Sequence, residues 1–186
     1  EVSIMEMIDD SLPKLLKVMK TCYQFENVNM LEHGKMVNVE YFKILNGSRD
    51  SDLPVELINL IKTKELMPKH LMTKYHILHD CGKPLTKCVD SDGKSHYPNH
   101  ADVSAEQIKF LFPDEFDLYF LIKNDMEFHT KKTSELVELS KHKLGFALYL
   151  TAWAELFANS SMFGGVESVS YKIKRKKLMK HLKLFV

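Results

Sequence analysis

The chain has 186 residues, 45% of them apolar and 27% charged, with seven Gly, six Pro and a formal net charge of +1. These proportions match a folded domain with one substantial core and exclude disorder, collagen-like repeats and coiled-coil arrays. Three Cys are too few for a disulfide framework, and no apolar run nears the roughly 18 residues of a membrane span.

The expectation is a single domain over residues 1–186 in a reducing, cytoplasmic compartment, without a membrane partner. The opening string EVSIMEMIDD carries acids where a secretion signal wants basic charge. Asp10-Ser11-Leu12-Pro13 supplies a cap and an early Pro and predicts the start of a helix, with Leu15, Leu16 and Met19 on one face. A second helix is predicted over 31–45, closed by Asn46-Gly47-Ser48. A short one follows Pro54, and another leads up to His79. Asp102 caps a predicted helix to Phe112, and Pro113-Asp114 opens the next, which runs to about His129. A charged helix over 133–142 precedes the most apolar stretch, 145–158. The strand signal is confined to a predicted hairpin across 87–97, with Asp90-Ser91-Asp92-Gly93 as its tip. The fold class is therefore all-α with one small β-hairpin.

Charge is uneven. Residues 171–186 carry seven Lys/Arg and no acid, which leaves the first 170 residues at −6. Such a tail is most simply a terminal helix with a solvated basic face, Ile173, Met179 and Leu182 packing inward. Its field can also steer a phosphate-bearing ligand. Binding of nucleic acid through this tail ranks last, since no aromatic residues interleave with the Lys run in a stacking pattern.

Nine His make chance pairings common, so a His carries meaning only with its neighbours. In His76-Ile77-Leu78-His79-Asp80-Cys81-Gly82-Lys83-Pro84 the helix must stop, because Gly82 and Pro84 both disfavour its continuation. That puts His79 and Asp80 at a helix end where imidazole and carboxylate converge, a donor set suited to a transition metal. Lys83 then lies within reach of an anionic oxygen on a substrate. His100 sits in Asn99-His100-Ala101-Asp102, just ahead of a helix cap, and His33 opens the second helix. Asp125 and His129 are four apart and share a helix face. Along 145–158, Thr151, Glu155 and Asn159 recur every four residues as one polar stripe in an apolar helix. If buried, Glu155 needs a cation or a metal beside it; the other possibility is that the stripe faces solvent. His96 and Tyr97 precede His100 in a loop and are candidates for a pocket mouth, or else simply exposed. Cys81 reads as a packing residue rather than a nucleophile, and Asp90-x-Asp92-Gly93 is no EF-hand, since Ala101 stands where the closing Glu belongs.

The order His33 … His79-Asp80 … His100 … His129 resembles the metal-ligand pattern of the HD-domain metal-dependent phosphohydrolases. The strings LHDCGKP and NHADVSAEQI look most like the HD module attached to bacterial CCA-adding tRNA nucleotidyltransferases, here free-standing. The resemblance covers roughly residues 30–160. It implies that His33, His79 and Asp80 hold one metal, that Asp80 bridges to a second with His100 and His129 as its ligands, and that Lys83 contacts substrate phosphate. That family also has a late helical Asp, often within Ala-Asp-Ala. Here the comparable stretch is Thr151-Ala152-Trp153-Ala154-Glu155, so Glu155 substitutes, or Asp125 does, or the ligand is missing.

The implied cofactor is one or two divalent ions, from Mn²⁺, Fe²⁺, Ni²⁺, Co²⁺ or Mg²⁺. The implied activity is hydrolysis of a phosphoester of a nucleotide or nucleic-acid end by metal-activated water, most of all as a phosphodiesterase of cyclic or other small nucleotides. The alternatives are a nucleotide mono- or triphosphate phosphohydrolase, and a non-catalytic, metal-stabilised HD-fold protein that binds a nucleotide or partner. Oligomeric state is not readable from these features.

Overall fold

A computed structural model describes residues 4–186, with 64% helix and 5% strand, the all-α class expected. Helix α1 spans Ile4–Thr21 and buries Met19 behind half-buried Leu15 and Leu16. Here the structure corrects the sequence expectation. The segment from Asp10 to Pro13 lies inside α1 rather than opening it, Pro13 costing the helix one backbone hydrogen bond. A two-stranded ribbon that the sequence did not signal follows, β1 (Tyr23–Phe25) against β2 (Val28–Asn29). Its strands are too short for alternation to show.

Helix α2 spans Met30–Leu45 and starts with a capping box. The Glu32 N–H donates to Asn29 Oδ1 at 2.9 Å, and the Asn29 N–H donates to Glu32 Oε2 at 3.2 Å. Helices α3 (Val55–Thr63) and α4 (Lys69–Leu78) each start immediately after a Pro, and α4 ends with His79 as its cap. The short α5 (Lys83–Thr86) leads into the predicted hairpin, β3 (Cys88–Val89) paired with β4 (Ser95–His96). The turn is closed by Gly93 at φ 78°, a conformation that disfavours a side chain.

Helix α6 spans His100–Leu111. Its cap is Asn99, in the left-handed conformation at φ 53°, so Asp102 sits in the first turn rather than at the cap. The helix expected to run through to His129 is interrupted. Helix α7 covers Phe116–Lys123, a turn follows, and α8 covers Glu127–Thr130. The Asn124 side-chain amide donates to the Phe120 carbonyl at 2.8 Å and helps end α7. Residues 133–142 likewise split, into a 3₁₀ turn (Thr133–Glu135) and α9 (Val137–Lys141).

Helix α10, Gly145–Ala158, is buried along its whole length and packs broadly against α2. Helix α11, Val169–His181, closes the fold. Its buried face is Tyr171, Leu178 and His181, with Leu182 following. Ile173 and Met179, expected inside, are 63% and 41% exposed, because the face that meets α10 is rotated from the one the apolar spacing suggested. The docking is specific: the Tyr149 hydroxyl donates to the Leu178 carbonyl at 2.9 Å, and the Tyr149 and Phe185 rings stack at 4.9 Å.

Two glycines set the spacing on which the site depends. A Cβ on Gly34 would lie 2.5 Å from the His76 carbonyl oxygen, so α2 and α4 cross at contact distance only because Gly34 has none. A Cβ on Gly82 would lie 2.5 Å from the Ser104 nitrogen. Instead the Gly82 N–H donates to Ser104 Oγ at 2.7 Å, tying the end of α4 to α6.

Candidate metal centre

The crossing of α2 and α4 at Gly34 brings the adjacent His33 beside His79 and Asp80. All three are at most 2% exposed. Helix α10 passes beneath and presents Glu155, 7% exposed, so the polar stripe of Thr151 and Glu155 faces the interior and not solvent. Helix α6 supplies His100 from its first residue, the α7–α8 turn supplies Asp125, α8 supplies His129, and α5 supplies Lys83. All eight of the residues named as metal, catalytic or phosphate candidates line one cavity of about 210 Å³.

Asp80 lies among four of its neighbours. Its Oδ2 is 3.3 Å from His79 Nε2, 3.7 Å from His33 Nε2 and 2.7 Å from Lys83 Nζ, while Oδ1 is 3.5 Å from His100 Nε2. His79 Nε2 is also 3.6 Å from Glu155 Oε1, and Glu155 Oε2 is 2.8 Å from His129 Nε2. Two sets of three donors each converge within 4.8 Å: His33, His79 and Asp80, and His79, Asp125 and Glu155. These buried groups could hold a metal ion.

The sets share His79, whereas the resemblance makes Asp80 the shared ligand. His100 and His129, which it assigns to one ion, face different carboxylates and join neither set. Of the two acids weighed for the late position, both are drawn in: Glu155 from α10 and Asp125 from the turn before α8. Asp125 and His129 thus reach the same cavity without sharing a continuous helix face.

Hydrogen bonds from behind fix the orientation of several of these side chains. His79 Nδ1 lies 2.7 Å from the His76 carbonyl and His100 Nδ1 lies 2.9 Å from that of Tyr97. A carbonyl only accepts, so each Nδ1 carries a proton and Nε2 is the nitrogen turned towards the cavity. His100, lowered first by burial, is neutral there, whereas His79 gives up its Nε2 proton when a cation takes the place. The Tyr75 hydroxyl donates to Asp125 Oδ1 at 2.6 Å and holds that carboxyl in place. His76 is no ligand. It is buried between Asn38 Oδ1 and Thr151 Oγ1, each 3.0 Å away, and links α2, α4 and α10 behind the site.

Three cavity atoms have charged neighbours but no aligned hydrogen bond. His100 Nε2, His129 Nε2 and Glu155 Oε1 are buried and make no hydrogen bond, the 2.8 Å approach of His129 to Glu155 being unaligned for one. Buried polar atoms are rarely left so, and imidazole nitrogens with carboxylate oxygens are the donor set of a divalent cation.

The electrostatics agree. Burial lowers His33 to about 4, against the pull of Asp80. His79, although buried, is held up at about 10 by Asp80 and Asp125, with Glu155 adding to them. Burial, with the charge of Glu155 next in weight, raises Asp125 to about 7. Glu155 overcomes its own burial and falls, because His129 and His79 stand beside it. Three acids around one imidazole are thus crowded with negative charge that a cation would relieve.

Lys83 is 8% exposed and held by Asp80, by Gln24 Oε1 at 2.8 Å, and by the Tyr97 ring at 5.5 Å. Tyr97 therefore positions Lys83 from behind and does not line the cavity. His96 does not line it either; it is exposed and lies 2.7 Å from Asp90 Oδ2 within the hairpin. Cys81 is buried and its thiol is pushed up to about 12 by burial, which suits packing and not nucleophilic attack.

Not legible from the sequence were Gln24, from the β1–β2 ribbon, and the wall built by Met162, Phe163, Lys174 and Lys177, which Asn159, the last residue of the polar stripe, completes. Gln24 carries no local signal. The lysines belong to the basic tail, whose charge was legible but whose position was not. No family model, curated protein or solved structure matches the chain.

Proposed function

We propose that the chain is a metal-dependent phosphohydrolase of the HD-domain type, cleaving a phosphoester of a nucleotide or nucleic-acid end, with a cyclic or other small nucleotide diester as the favoured substrate. The observation that carries this reading is the convergence of His33, His79, Asp80, Asp125 and Glu155 at one cavity, with Lys83 beside them.

His33, His79 and Asp80 would hold one divalent ion, and His79, Asp125 and Glu155 mark a place for a second or for the same ion displaced. Mn²⁺, Fe²⁺, Co²⁺, Ni²⁺ and Mg²⁺ all fit nitrogen and oxygen donors. Such an ion supplies Lewis acidity and a bound water acidic enough to be deprotonated near neutral pH. The chain's own groups do the rest. Lys83, held between Asp80 and Gln24, offers N–H donors to a phosphoryl oxygen and favours the charge that builds up on it in the transition state. His100 and His129, whose Nε2 atoms reach the cavity beside Asp80 and Glu155, can accept or return a proton at the attacking or leaving oxygen. Burial on α4 and α10 keeps bulk water from screening these charges.

A second reading, a metal that only pins α2, α4 and α10 together, draws on the depth of His79 and Asp80, both at most 2% exposed. Turnover separates the two. Metal-loaded protein should hydrolyse bis-p-nitrophenyl phosphate with added Mn²⁺, and Asp80→Ala should not. Because that change strands Lys83, Asp80→Asn serves as a folded control and should lose activity equally. An inactive parent with metal bound would favour the structural reading.

A further inference from the structure

Two lysines of α11 reach the cavity that holds the metal-ligand group. Lys174 and Lys177 are three residues apart, so they share a helix face, and both line the cavity with Asn159 and Phe163. Among the described residues, no carboxylate lies within ion-pair distance of either lysine, whereas Lys83 is already paired with Asp80. Each is nonetheless held in place. Lys177 Nζ donates to the His129 carbonyl at 2.7 Å, and Lys174 Nζ stands 4.8 Å over the Phe163 ring. Like charges are thus fixed side by side at the wall of a site whose ligands favour a phosphoester, and an anion between them would relieve their repulsion.

We propose that Lys174 and Lys177 form a second anion subsite, so that the preferred substrate carries a further phosphate beside the ester to be cleaved. This rests on the phosphohydrolase reading for its chemistry and narrows the substrate class to nucleotides with two separated phosphates, as at a nucleic-acid end. The subsite also gives the basic tail a place in recognition: two of its seven cations face the cavity.

Calorimetric binding of adenosine 3′,5′-bisphosphate and adenosine 5′-monophosphate to the full, metal-stripped chain tests the subsite without turnover. The bisphosphate should bind about tenfold tighter, the usual scale of one added charged contact. Lys174→Gln and Lys177→Gln together should erase that preference, while Lys177→Arg should keep most of it. Lys174 is exposed and makes no backbone bond, so Lys174→Gln alone, which should narrow the preference, guards against a misfolded double variant. Equal affinities in the parent, or a preference that survives both substitutions, would overturn the subsite. Failure to hydrolyse bis-p-nitrophenyl phosphate would instead overturn the phosphohydrolase and leave this binding result standing.

Discussion

His79 is the pivot of the centre, because its Nε2 faces Asp80 on one side and Glu155 on the other while its Nδ1 is fixed on a backbone carbonyl. A residue placed so is held by its surroundings, and those surroundings are open to test. Tyr75 does not line the cavity with the candidate ligands, yet its hydroxyl holds Asp125. Tyr75→Phe keeps the ring and removes that donor, and it should weaken divalent-metal binding by about 10-fold or more, the usual cost of losing an outer hydrogen bond to a ligand. A titration with Mn²⁺ reads it directly, and unchanged affinity would place Asp125 outside the coordination. The string from His79 to Lys83 was legible because a helix end is a local event, dictated by Gly82 and Pro84. Glu155 was legible as a carboxylate in an apolar helix, although only burial on α2 shows that it faces inward. The roles of Tyr75 and Gln24 were not legible, since each acts on a residue brought near by the fold, 50 and 59 positions away.

At the level of elements, the site is a consequence of one helix crossing. Helices α2 and α4 meet where Gly34 lies against the His76 carbonyl, and His33 and His79 face each other as a result. Gly34→Ala places a Cβ 2.5 Å from a backbone oxygen that cannot swing away. It should cost about 1 to 3 kcal/mol of stability, the range for overpacking, in spite of Ala's better helix propensity. Urea unfolding would show this, and metal affinity should fall with it as His33 is displaced. A neutral substitution would mean that the helices can separate without consequence. Element identities were largely readable, but their continuity was not. The break between α7 and α8 follows from the Asn124 side chain bonding back to Phe120, a choice that a run of helix-compatible residues does not reveal. Helix α11 had Ile173 and Met179 as its obvious apolar positions, yet the face that docks is the one carrying Tyr171 and Leu178.

For the molecule as a whole, α11 and the residues after it act as a clasp. Phe185 stacks on Tyr149, touches Phe128 and Phe146, and so fastens the basic segment over the cavity. Phe185→Ala should cost about 3 kcal/mol or more, as core aromatic truncations do. It should also loosen bisphosphate binding, because Lys174 and Lys177 lose their fixed place. A thermal melt paired with the binding assay checks both. A metal held by these groups would be linked to the global fold in the same way, since the candidate ligands come from α2, the end of α4, the α7–α8 turn and α10. An ion at about 100 times its Kd stabilises by about 3 kcal/mol, which for a chain of this length is a rise of about 5 to 10 °C in Tm.

That linkage rests on the claim that the buried His, Asp and Glu group is a divalent-metal centre. Calorimetric titration of the metal-stripped chain with Mn²⁺, set against Asp80→Asn, tests it most directly. The parent should bind one or two ions saturably, and the variant should lose at least one of them. A parent that takes up no Mn²⁺, Fe²⁺, Co²⁺, Ni²⁺ or Mg²⁺ would contradict it.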